Sequence, residues 1–196
     1  IMALTVYYPI AAVSRIAPSE IEFRIEDEAH IDTAKQIVSQ YADTDTVIFT
    51  QTNIYKVTSS ASQLPMEYSI GTAKGDEDNE NIKRDAGFEC ISYTDYTTLL
   101  LAQGKNDVIA SLPELNDEEC ILVKYQPNSD NSTEIGNTYP LLIGDAYMPV
   151  TVKEVTLDNP LSFANSIGTL IVSDNIYKQI KSSDAPTISV MSINGK

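Results

Sequence analysis

The sequence predicts an α+β fold in which both ends of the chain build one platform and the middle is mounted on it. Three observations carry this. Residues 19–58 and residues 169–193 each read as strand, helix, strand. The strand segments alternate or run apolar, and the helical ones repeat apolar residues at three- and four-residue steps. The stretch between them, 59–165, is too long for a connecting loop and predicts an inserted lobe. A chain of 196 residues with 42% hydrophobic content has enough apolar side chain for an ordinary core.

In chain order, Ile21, Phe23 and Ile25 alternate with Glu20, Glu22 and Arg24, the period of a strand that buries one face. Ile31, Ala34, Ile37, Val38 and Tyr41 then mark an amphipathic helix over about 28–42, with Asp27, Glu28 and Asp32 where the helix dipole favours negative charge. Val47 to Val57 returns to β-type composition. At the other end, Thr169-Leu170-Ile171-Val172 is a buried-strand run and Ser173 or Asp174 is a good cap. Ile176 to Ile180 is a short helix and Thr187 to Ile193 is β-like. Two such units, residues 1–58 and 166–196, can pair into a four-stranded sheet with two helices on one face, the split βαβ arrangement of ferredoxin-like domains.

The predicted lobe, 59–165, opens with the polar stretch Gly71 to Gly87, rich in Asp, Glu and Asn, which reads as a surface loop. A strand at Phe88 to Ser92 and a helix near Tyr93 to Ala102 follow, the helix carrying Tyr96, Leu99 and Leu100. Glu119 to Tyr125, Leu141 to Gly144 and Met148 to Val155 are further strands, with a second polar loop at Gln126 to Thr138. The whole is expected either to divide into platform and lobe or to pack as one domain.

Catalytic chemistry is poorly supplied. There is one histidine, His30, no tryptophan and two cysteines, and no glycine-rich phosphate loop or Gly-x-Ser-x-Gly elbow occurs. His30 has Asp32 two residues on, a spacing that does not share a helix face, so it reads as a surface residue and not a base. Cys90 and Cys120 match no zinc or redox spacing. A disulfide between them and two buried free thiols both fit, and the free form is preferred because each cysteine adjoins an apolar strand. The alternating Asp76-Asp78-Glu80 resembles a calcium loop, but its sixth position is Asn81 and its twelfth Gly87, where glycine and glutamate are needed. The series Asn128-Asp130-Ser132-Glu134 fails likewise, with Tyr139 at the twelfth. No catalytic residue, metal or cofactor is therefore expected, and no ligand-binding residue can be named.

The formal net charge of -15 makes nucleic-acid phosphates and anionic lipid headgroups poor partners and a cationic ligand such as a basic peptide a better one. Tyr7-Tyr8 and Tyr93-Tyr96 are places where aromatic side chains could line a recognition surface, core packing being the ordinary alternative. Asn131-Ser132-Thr133 matches a glycosylation sequon, relevant only in a eukaryotic secretory pathway. No stretch approaches the ~20 apolar residues of a membrane helix, and no signal peptide is legible at the start. The opening Ile1-Met2-Ala3 suggests a fragment of a larger chain.

The segment from Ile91 through Ser92-Tyr93-Thr94-Asp95-Tyr96-Thr97-Thr98-Leu99 to Gly104-Lys105, followed by Glu118-Glu119-Cys120-Ile121-Leu122-Val123, resembles the extracellular domain of FtsX-like ABC transporter permeases. That family often shows Ser-x-x-(Asp/Glu)-Tyr-Asn-x-Leu, a glycine and an acid-led strand; Thr97 stands where it has Asn. The tail Gly168 to Ile180, with Val172-Ser173-Asp174 after its strand, is similar to the same family's ending. In particular it is similar to the large loop of permeases of the bacitracin-resistance type in Gram-positive bacteria, and the plan of two βαβ ends with an inserted lobe agrees with the wider MacB-type core. The resemblance implies a domain on the extracellular face of the bacterial plasma membrane, tied to transmembrane helices of the same permease, with ATP hydrolysis by a separate cytoplasmic ATPase subunit. It implies a role in sensing an antimicrobial peptide or lipid-linked precursor and coupling it to the membrane helices. The rival expectations are a secreted or lipid-anchored adhesin or solute-binding domain and, as a third class, an enzyme built on a buried carboxylate pair.

Overall fold

A computed structural model describes residues 21–25, 27–41, 47–59, 86–124, 134–161 and 168–195. They form mixed α/β structure: eight strands in one mixed sheet, and four α-helices. The strands are β1 (Ile21–Ile25), β2 (Val47–Ser59), β3 (Ala86–Ser92), β4 (Glu119–Val123), β5 (Thr138–Ile143), β6 (Ala146–Thr156), β7 (Thr169–Val172) and β8 (Thr187–Gly195). The helices are α1 (Ile31–Tyr41), entered through a 3-10 turn at Glu28–His30, then α2 (Tyr93–Ala102), α3 (Asn106–Ser111) and α4 (Asp174–Lys181). Among the described residues no helix is long and apolar enough to cross a membrane.

The strand order is β1-β8-β2-β3-β7-β4-β6-β5. At one end β8 lies antiparallel between β1 and β2, so β1 and β2 run parallel around it with α1 as the connection. The other terminal unit does not complete a four-stranded sheet with this one. β7 and β8 are separated by β2 and β3, because β3 pairs antiparallel with β2 and parallel with β7. The physical reason is burial on two faces. Phe88, Cys90 and Ile91 of β3 and all four residues of β7 are buried, which suits central strands of a covered sheet and not edges. Strands from the middle of the chain thus enter the same sheet as the two ends.

A further pairing, Ser59 with Leu141, brings β5 back to β2, so β2-β3-β7-β4-β6-β5 closes on itself. Alternate residues of these six strands point inward: Tyr55, Val57, Phe88, Cys90, Leu170, Cys120, Leu122, Val150, Val152, Tyr139 and Leu141 form one core, against which α4 lays Ile176 and Ile180. The intervening residues Ile54, Ile91, Ile171, Ile121 and Val123 face the other way and meet Tyr96, Leu99 and Leu100 of α2. The two-residue period of the strands therefore sorts side chains into two cores, one on each face. Arg24 of β1 reaches across the sheet toward Glu89 of β3, Nη1 to Oε1 at 3.8 Å, and its Nε lies 3.4 Å from Glu22 Oε1.

Local chemistry fixes the ends of α2. The Ser92 hydroxyl accepts a hydrogen bond from the Asp95 amide at 2.9 Å, and Asp95 sits in the first turn. At its far end Gly104 takes φ 72°, the Gly104 amide donates to the Leu101 carbonyl and the Lys105 amide to that of Leu100. This pair of bonds is a Schellman stop, which needs glycine for the left-handed residue.

Candidate functional site

The feature of the fold best suited to a site lies at the carboxyl ends of the parallel strands β3 and β7. The helices leave these neighbours on opposite faces, α2 into the outer core and α4 into the inner one. In open α/β sheets ligands settle at such switch points. Here the two helix starts are tied together. Ser173 caps α4 by accepting from the Ile176 amide at 3.2 Å. The Asp174 carboxylate accepts from the Thr94 amide at 3.1 Å and from the Thr94 hydroxyl at 2.5 Å, so it serves the first turn of α2 from the neighbouring helix. Asp117, in the loop before β4, accepts from the Ser173 hydroxyl at 2.7 Å and from the Asn175 amide side chain at 2.6 Å. These two hydrogen bonds hold the exposed Asp117 carboxyl below its ordinary range, Ser173 contributing most.

The positive ends of both helix dipoles are thus already met by the chain's own carboxylates, and Asp95 adds a third acidic group beside them. This end of the two helices is hostile to an anion and, electrostatically, open to a cationic group whose donors can use the remaining carboxylate lone pairs. Among the described residues no group of three or more His, Cys, Asp or Glu side chains is placed to hold a metal ion.

Two other features stand apart from it. An open cleft of about 450 Å3 lies between the β5–β6 turn and α4, lined by Ile143, Gly144, Lys178, Gln179, Ser182 and Ser183. Between β4 and β5, Glu134 is 1% exposed and accepts from Lys124 Nζ at 2.9 Å, from the Tyr139 hydroxyl at 2.9 Å and from Asn137 Nδ2 at 3.2 Å. Burial, with the Glu134 carboxylate adding to it, raises the Tyr139 hydroxyl's pKa.

The residues singled out in the sequence separate clearly. His30 is exposed on the 3-10 turn, 3.7 Å from Asp27, and Asp32 lies in the first turn of α1; neither is among the residues that tie the helix starts together. Tyr96 is buried in the outer core and its hydroxyl donates to the Asp158 carbonyl at 2.9 Å, while Tyr93 is partly buried beside it. Cys90 and Cys120 are free thiols in the inner core, and burial raises both pKa values, that of Cys120 to about 12. Glu134 serves the buried ion pair described above. Asp76, Asp78, Glu80, Asn128, Asp130, Tyr7, Tyr8 and the Asn131-Ser132-Thr133 sequon lie outside the described residues. Sequence reasoning missed the Asp117 and Asp174 contacts, which join positions 58 and 80 apart in the chain. Only the cap signal at Ser173-Asp174 pointed toward them.

Comparison with protein-family models and with curated proteins returns no match.

Proposed function

We propose that this chain is the extracellular domain of an FtsX-like ABC transporter permease, held between transmembrane helices of the same protein and coupled through them to a cytoplasmic ATPase subunit. One observation carries the reading. Ile21, where the described chain enters the sheet, pairs directly with Ile193, two residues before the last described position, on neighbouring antiparallel strands. The first and last described strands are therefore neighbours, as insertion between two membrane spans requires.

In this reading β1, α1, β2 and β8 form the membrane-proximal part of the platform, a split βαβ unit in the broad sense. The closed part of the sheet, with the tied helix starts beyond β3 and β7, stands further along the chain path as the recognition region. The ligand is a cationic antimicrobial peptide or a lipid-linked precursor. The net charge of -15 and the carboxylates Asp95, Asp117 and Asp174 favour such a ligand in encounter rate more than in affinity. Residues of this chain bind and transmit; no reaction is assigned to them.

The reading frame on either side tests the proposal. One apolar span of about 20 residues is expected next to each end, and a flank without one overturns the insertion. Calorimetric titration tests the ligand: heat is expected with cationic peptides and is reduced in Asp117→Asn/Asp174→Asn, whereas silence across cationic peptides and cell-wall precursors overturns direct sensing.

A further inference from the structure

Ile21, Ile193 and Phe49 occupy one row across β1, β8 and β2, since Ile193 is the register partner of both Ile21 and Phe49. Paired residues of neighbouring strands point to the same face, so the three side chains form a continuous apolar strip. Its two outer members are exposed, Ile21 at 46% and Phe49 at 39%, around Ile193 at 7%. The other exposed large apolar side chains of the described residues, among them Leu101, Tyr147 and Leu157, lie on other elements.

β1 and β2 begin at this end of the sheet and β8 finishes there, so the strip sits where the chain enters after residue 20 and leaves after Gly195. We propose that this strip contacts the hydrocarbon boundary of a lipid bilayer, with Phe49 as the inserted anchor. The inference rests on the reading of the chain as a domain held between membrane spans. Two partly exposed side chains bind membrane weakly by themselves, so the contact depends on the tether that keeps this end at the surface. Charge does not supply the attraction. With a net charge of -15 the domain is repelled by anionic headgroups, which makes the contact an apolar one to the neutral part of the surface.

The chain has no tryptophan, so Phe49→Trp creates a single fluorescent reporter. The full chain with a C-terminal histidine tag is bound to phosphatidylcholine vesicles carrying nickel-chelating lipid, which holds the proposed end at the surface. The expected result is a blue shift of the indole emission of Phe49→Trp on binding and strong quenching by brominated acyl chains, both weakened by adding Ile21→Ser. A reporter on the β5–β6 hairpin, Tyr147→Trp, is expected to show neither. Unshifted, unquenched emission from a tethered Phe49→Trp protein that keeps its thermal transition overturns the inference. So does a blue shift that appears on concentrating the protein without vesicles, which means pairing of two copies, or quenching that grows with added phosphatidylglycerol, which means binding by charge. Should Phe49→Trp not fold, Ile21→Trp reports on the same strip. Failure here leaves the flanking spans untouched, and flanks without spans overturn the transporter reading whatever the vesicles show.

Discussion

Cys90 and Cys120 show how burial decides chemistry. Both thiols face the inner core, where desolvation disfavours the thiolate that any reaction needs. A thiol reagent such as Ellman's should therefore find no reactive thiol in the native protein near pH 8 and two in guanidinium; release of either thiol under native conditions would contradict the packing. Apolar neighbours in the sequence made the free state legible. Glu134 was not legible, because nothing local shows that Lys124, ten positions earlier, will meet it. Both side chains are nearly buried, 10% and 1% exposed, so removing one takes an opposite charge away from a desolvated group. Glu134→Ala should cost about 3–5 kcal/mol, and the Lys124→Met/Glu134→Leu pair should cost less, as read from urea unfolding midpoints. Equal losses in both variants would show that the ion pair is not what the site depends on.

Secondary structure follows the sequence where a single period runs long enough. The helix expected over Tyr93–Ala102 and the strand over Thr169–Val172 are found at those limits, since each has a clear cap or an unbroken apolar run. α3 was not anticipated: its six residues, Asn106–Ser111, are too few to show a helical period. The contacts between helix starts are equally hidden, because they depend on β3 and β7 being neighbours. Their strength is testable through pH. Asp117 is held below its ordinary pKa in the fold, so its contribution is present above the normal carboxylate range and is lost as pH falls through the lowered value. Asp117→Asn should be less stable than the parent at neutral pH, with the difference shrinking as the solution is acidified in thermal melts. A difference that stays constant with pH would show that the carboxylate's charge plays no part.

Strand order is the property least visible in a linear sequence. Burial of β7 on both faces could be read from its apolar run Leu170-Ile171-Val172, which argues for a central strand. Which strand lies beside which could not, because the parallel pairs β3–β7 and β4–β6 and the Ser59–Leu141 closure join distant parts of the chain. The expected union of the two chain ends in one sheet is present at β1-β8-β2, while β3 stands where a self-contained four-stranded platform would have placed β7. It is this end of the molecule, with Ile21 against Ile193, on which the functional account depends. Fractionation of intact cells producing the whole gene product tests that account most directly. The account predicts that this segment stays with membranes through an alkaline wash and is cleaved by protease added outside the cells. Recovery in the alkaline supernatant, or protection until the cells are broken, would contradict it.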